Sequence, residues 1–150
     1  MQFELDGGAP AHLEPDVLLA EAAKYTKNSD VSLIFSFLKK LEILTPQWRA
    51  LLDNGPTSSV WPIEIRRFAR YLIRRYWLQA MADYDLICRV KFIISACILL
   101  SHLGGNIVEN AQLFSKEIEN DPDNVDAMFD GAYTDPAFTD TQLLSLLLQP

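Results

Sequence analysis

The segment Phe92-Ile93-Ile94-Ser95-Ala96-Cys97-Ile98-Leu99-Leu100-Ser101-His102-Leu103 runs twelve residues without a charged side chain. A helix that crosses a bilayer needs about twenty apolar residues, and Arg89 and Lys91 stand immediately before this run. It therefore reads as a central helix of a globular protein, apolar on most sides because protein surrounds it. Working outward, Asp83-Tyr84-Asp85 supplies the cap before this helix and Gly104-Gly105 closes it, where a left-handed residue is cheap. Upstream, Pro62 starts the longest helical pattern, to about Ala82. Before it, Thr45 caps a short helix from Pro46 to Asn54-Gly55-Pro56. Asp30 caps a helix expected to reach about Leu44, with Leu33, Ile34, Phe37, Leu38, Leu41 and Leu44 at three- and four-residue spacing. Pro15-Asp16 opens another, whose Val17, Leu18, Leu19, Ala22, Ala23 and Tyr25 are expected to form its apolar side, and residues 1–13 read as a loose leader. Downstream, Asn106 to Asn120 forms a helix, Asp121 caps the next through about Tyr133, and Thr139-Asp140-Thr141-Gln142 has the capping-box form before the leucine-rich end.

No stretch alternates with period two, so the expected class is all-α: a compact single-domain bundle of about eight helices, residues 14–150, around the buried central one. The chain has 150 residues, 49% apolar and 22% charged, with two cysteines. That composition excludes collagen-like, disulfide-framework and disordered classes, and a chain of this length buries about 70% of its unfolded surface. Cys88 and Cys97 lie nine apart, neither a redox pair nor a zinc spacing, and read as buried free thiols. The N-terminal residues carry acids where a secretory signal carries bases, so the expected location is the cytoplasm.

The net charge of −7 argues against general nucleic-acid binding, but the charge is unevenly placed. Residues 61–105 carry seven bases and three acids, whereas 106–150 carry one base and nine acids. At about 100° per residue, Arg66, Arg67, Arg70 and Arg74 share an arc of about 100°, with Ile65, Phe68, Leu72 and Tyr76 roughly opposite. Either this row is solvated or paired with the acidic end, or it faces an anionic partner: a carboxylate-rich protein, a nucleotide phosphate or an acidic cofactor tail.

Catalytic motifs are scarce. Only His12 and His102 offer imidazole, and His102 reads as a cap at its helix end. Asp121, Asp123 and Asp126 fail the register of a calcium loop, so no metal site is expected. Gly104-Gly105-Asn106 reads as an interhelical turn more readily than as an anion site. Tyr71, Asp85, Arg89 and Glu117, with Glu119, form a candidate polar cluster for which ion pairing is the default. Trp48, Trp61 and Trp77 read as core or edge-of-core anchors.

The succession Phe37-Leu38-Lys39-Lys40-Leu41-Glu42, Pro46-Gln47-Trp48, Arg67-Phe68-Ala69-Arg70-Tyr71-Leu72, Asp85-Leu86-Ile87-Cys88-Arg89-Val90-Lys91-Phe92, Phe114-Ser115-Lys116-Glu117-Ile118-Glu119-Asn120 and Asn124-Val125-Asp126-Ala127 resembles, in order and spacing, the C-terminal helical part of flagellin lysine-N-methylases over residues 31–150. The resemblance implies methylation of flagellin lysines with S-adenosylmethionine as donor and an iron–sulfur segment in an N-terminal part. This chain departs from that pattern, because two cysteines cannot hold a four-thiolate cluster. The resemblance therefore implies a helical accessory portion of a protein-lysine N-methyltransferase, inactive and binding no cofactor alone. Its expected partner is flagellin or a cysteine-bearing N-terminal part, and Tyr71, Tyr76, Tyr84, Asp85 and Glu117 are the available pocket lining. The alternative is a free-standing α-helical protein-interaction module, without catalysis, which meets neither nucleic acid nor membrane and is open to homodimer formation through an exposed apolar patch.

Overall fold

A computed structural model describes residues 14–26 and 28–148. The leader reading of residues 1–13, and His12 with it, lies outside the described residues. Among those described there are eight α-helices and no strand: α1 (Pro15–Ala23), α2 (Ser32–Leu38), α3 (Pro46–Asn54), α4 (Ile63–Asp83), α5 (Leu86–His102), α6 (Ile107–Phe114), α7 (Pro122–Thr134) and α8 (Asp140–Leu148). A π-helical turn, Ser115–Glu119, extends α6, and a 3-10 turn, Pro136–Phe138, joins α7 to α8. The fold is an all-α bundle.

Local chemistry accounts for most boundaries. Thr45 accepts from the Trp48 amide, Asp85 from Cys88, Asn106 from Val108 and Glu109, Asp121 from Asp123 and Asn124, and Thr139 from Gln142, each a side-chain oxygen satisfying amides left free at a helix start. Gly104 and Gly105 both take positive φ, 70° and 69°. A Cβ on Gly104 would also sit 3.1 Å from the Thr57 methyl. At the end of α5, the segment 57–60 supplies the cap that the sequence reading assigns to His102. Thr57 N–H donates to the His102 carbonyl (2.7 Å) and Val60 N–H to that of Ser101 (3.0 Å), while His102 Nδ1 donates to the Thr57 carbonyl (2.8 Å).

The centre is as expected along the C-terminal half of α5. Phe92, Ser95, Ala96 and every residue from Cys97 to Ser101 are buried, and α5 packs on α2, α4, α6, α7 and α8. Phe92 meets Tyr76 of α4 (5.1 Å between rings) and Phe114 of α6 (5.8 Å), and Phe114 in turn meets Phe68 and Trp48. Ile65, Phe68, Leu72 and Tyr76 are the buried face of α4.

Two further sequence expectations are corrected. Helix α2 ends at Leu38 rather than near Leu44. The backbone beyond it is taken up by side chains far away in sequence: Glu42 N–H donates to Asn124 Oδ1 (3.1 Å), Asn124 Nδ2 donates to the Glu42 carbonyl (2.9 Å), and Leu44 N–H donates to Glu117 (2.7 Å). Tertiary partners thus outcompete the i→i−4 bonds that the apolar spacing favours. Helix α1 buries none of its residues; its leucines have no core to enter. Of the tryptophans, Trp48 is fully buried in the core, and Trp61 and Trp77, 43% and 53% exposed, stand at its edge, ahead of or beside the buried face of α4.

Candidate functional site

Helix α5 is apolar nearly all round, yet only part of its circumference is covered. Leu86, Val90, Ile93, Ile94 and Cys97 follow one another at i, i+4, i+7, i+8 and i+11, the spacing of a helical face made for another helix. Leu86 and Val90 are exposed, and Ile93 and Ile94 half-buried. Three adjoining depressions share these side chains. One of about 470 Å³ lies between Trp61, Ile63, Ala69, Ile93, Ile94, Cys97 and Leu147. A second, about 220 Å³, adds Ile73, Trp77, Ala80, Leu86 and Val90, and a third, about 320 Å³, adds Ile87, Leu143 and Leu144. Together they form an apolar groove, with α5 as its floor and α4 and α8 as its walls. Isolated exposed apolar residues are ordinary, but a contiguous face of this kind marks an interaction surface.

The arginine row runs along the same helix α4. Arg66 lines the apolar groove; Arg67, Arg70 and Arg74 line an open basic groove of about 550 Å³ with Tyr71 and Arg75. All four row residues are exposed, and among the described residues none of them has an ion pair or side-chain hydrogen bond. The acidic end of the chain engages other bases instead: Arg75 pairs with Glu119 (3.2 Å) and Lys91 with Asp140 (2.8 Å). Of the two alternatives open in the sequence, internal pairing takes Arg75 and Lys91 and leaves the row facing outward.

No family model, curated protein or solved structure gives a significant match to this chain. The resemblance to flagellin lysine-N-methylases thus has no support from these comparisons.

The candidate polar cluster is held by three sets of hydrogen bonds. Tyr71 and Tyr76 hydroxyls donate to Glu119, at 3.4 and 3.2 Å, and Ser115 Oγ donates to its other oxygen (2.5 Å). The Glu119 side chain is completely enclosed. Burial opposes the charge on Arg75 most strongly, but the Glu119 carboxylate together with the Tyr71 and Tyr76 hydroxyls outweighs it and raises that pKa; burial, then the same carboxylate, also raises the Tyr76 hydroxyl. Glu117, two residues earlier on the π turn, faces the other way and accepts from the Leu44 amide and the Thr45 hydroxyl. Asp85 accepts from the Tyr133 hydroxyl, which lowers the carboxyl and pushes the phenol up to about 12. Arg89 pairs with Asp83, donates to the Asp85 carbonyl (2.8 Å) and lies over the Phe129 ring at 4.8 Å. Tyr84 is a left-handed hinge residue between α4 and α5 and points to solvent. Tyr76, Asp85, Arg89 and Glu119 nevertheless line one open polar depression of about 560 Å³, whereas Tyr71 lines the basic groove and Tyr84 and Glu117 line neither.

Cys88 and Cys97 are free and buried. Burial pushes their thiols up to about 11 and about 12, which leaves them protonated and unreactive at neutral pH. Among the described residues no group of histidine, cysteine and carboxylate side chains is disposed to hold a metal ion, and no helix is long and apolar enough to cross a membrane. Sequence reasoning missed the groove. Its signal was a second apolar line on α4, Ala69-Ile73-Trp77 at four-residue steps, on the flank of the buried face.

Proposed function

We propose that this protein is an α-helical interaction module of the cytoplasm, whose α4–α5–α8 groove docks an amphipathic helix with an apolar face and an acidic flank. The supporting observation is the uncovered α5 ridge with the unpaired Arg66 on its rim, beside Arg67, Arg70 and Arg74 on the adjoining face of α4. Apolar burial would supply the affinity, and guanidinium–carboxylate pairs along the rim would set orientation and partner choice.

The test uses a synthetic eighteen-residue helix with a leucine face and glutamate flanks, titrated by calorimetry against the whole chain. A control peptide carries lysine for glutamate. The glutamate peptide is expected to bind, the lysine peptide not, and Arg66→Glu/Arg70→Glu/Arg74→Glu is expected to abolish binding while leaving the helical circular dichroism intact. Equal binding of both peptides, or of neither, refutes the assignment.

The same uncovered ridge leaves room for a narrower reading, in which the covering element is flagellin or a cysteine-bearing N-terminal part of a lysine-N-methylase-like protein. Binding of S-adenosylmethionine by such a complex would support it; no binding of donor or flagellin by either chain or complex removes it.

A further inference from the structure

We infer that the basic groove of α4 is a binding site of its own, separate from the apolar groove, and that its ligand is a short oligophosphate: two or more linked phosphates, either inorganic or carried by a nucleotide. The groove, about 550 Å³, is lined by Arg67, Arg70, Tyr71, Arg74 and Arg75, with no carboxylate among these residues. At about 100° per residue, Arg67, Arg70 and Arg74 fall within an arc of about 60°, and they rise along α4 over about 10.5 Å. None of the three has an ion pair or side-chain hydrogen bond among the described residues, although the chain carries 20 acidic residues. Arg70 and Arg74 stand four apart, a spacing at which like charges destabilise a helix. A bound anion removes that repulsion.

The other side of the groove is already fixed. Arg75 Nε donates to Glu119 (3.2 Å) and Nη1 to the Tyr71 hydroxyl (3.1 Å), so two bonds hold the guanidinium plane while Nη2 has no partner among the described residues. The Tyr71 ring stacks on Phe68, 6.0 Å between centroids, and is itself 41% exposed. One guanidinium and one aromatic ring are therefore set before any ligand arrives, and less side-chain freedom is lost on binding. Charge and shape then select the ligand class. A long polyanion runs beyond the groove, where a chain of net charge −7 repels it, so nucleic acid is disfavoured. A carboxylate offers two oxygens in one plane and occupies one guanidinium fork. A phosphate presents acceptor oxygens in several directions, and linked phosphates present them in succession, so one short ligand meets the Arg67, Arg70 and Arg74 line and Arg75 together.

Calorimetry of the whole chain with inorganic tripolyphosphate tests the inference, with a tetraglutamate peptide as the control anion. One-to-one binding of tripolyphosphate is expected, at least about tenfold tighter than that of tetraglutamate, with a rise in the thermal midpoint. Arg67→Gln/Arg70→Gln/Arg74→Gln should weaken it about fivefold for each guanidinium lost, on the order of a hundredfold in all, at unchanged circular dichroism. Arg67→Lys/Arg70→Lys/Arg74→Lys, which keeps the charge without the forks, should recover only part of that loss. Val90→Glu, in the apolar groove, should abolish binding of the glutamate peptide and leave tripolyphosphate binding unchanged, so the two sites stand or fall separately. Adenosine triphosphate identifies the source of the phosphates. Tighter binding than tripolyphosphate, with the gain lost in Tyr71→Leu, assigns a nucleotide stacked on that ring, and equal or weaker binding assigns the phosphate chain alone. Equal binding of tetraglutamate, full recovery by lysine, or tripolyphosphate binding that survives the glutamine substitutions each overturns the inference, as does no binding at all.

Discussion

Replacing Glu117 by alanine removes a completely buried carboxylate from the π turn, and the effect can be worked out from its contacts. Its oxygens accept from Leu44 N–H at 2.7 Å and from Thr45 Oγ1 at 2.5 Å. Hydrogen bonds to a charged group contribute about 1.5–3 kcal/mol each, and the one buried methylene that alanine lacks about 0.8 kcal/mol. Two effects act the other way: removal relieves the desolvation of the carboxylate itself, and Leu44 and Thr45 are open enough for water to reach their freed donors. We expect a net loss of about 2–3 kcal/mol. Urea unfolding monitored by circular dichroism should show a lower midpoint at unchanged slope. Glu117→Gln, which keeps the packing and one acceptor, should lose about half as much, and Thr45→Val should lose about 1–2 kcal/mol through its helix cap and this bond together. The Glu117→Gln/Thr45→Val double mutant should be less destabilised than the sum of its parts by at least about 0.5 kcal/mol. An alanine variant within about 0.5 kcal/mol of the unmodified protein, or additive single effects, would show that Glu117 does not hold the α2–α3 connection.

Arg75→Ala should destabilise by about 1–2 kcal/mol, reduced from a fully buried pair by the exposure of the guanidinium, whereas Arg70→Ala should stay within about 0.5 kcal/mol; equal losses in urea unfolding would contradict the unpaired state of the row. Gly131→Ala places a methyl 2.8 and 2.9 Å from the Phe37 ring and 3.1 Å from Phe138. Overpacking should outweigh the gain of up to about 1 kcal/mol in helix propensity, and Phe37→Leu should recover part of the loss; a thermally stabilised Gly131→Ala would refute this. Asp85, held low by the Tyr133 hydroxyl, contributes stability that is whole above the ordinary carboxylate range and is lost as pH falls through its lowered value. Tyr133, raised to about 12, contributes in the opposite sense, whole below its ordinary value near 10 and lost as pH rises toward 12. Tyr133→Phe should therefore flatten both limbs of the stability–pH curve, and unchanged limbs would show that the pair is open in solution.

The sequence by itself determined the helices whose ends depend on local chemistry. Thr45, Asp85, Asn106, Asp121 and Thr139 cap the amides next to them, and Gly104 and Gly105 supply the left-handed turn, so neighbours in the chain suffice to predict those boundaries. It determined equally the buried face of α4 and the enclosed half of α5, because 3.6-residue periodicity is a property of spacing alone. Only the tertiary structure decided where α2 stops, since the groups that take its backbone, Glu117 and Asn124, lie more than seventy residues away. The tertiary structure alone separated Glu117 from Glu119, which the π turn directs to opposite sides, and showed that Arg75 and Lys91, not the arginine row, meet the acidic end. It also exposed the second apolar face of α5. Hydrophobicity marks a residue as seeking cover, but which cover is present depends on how the other helices are arranged around it.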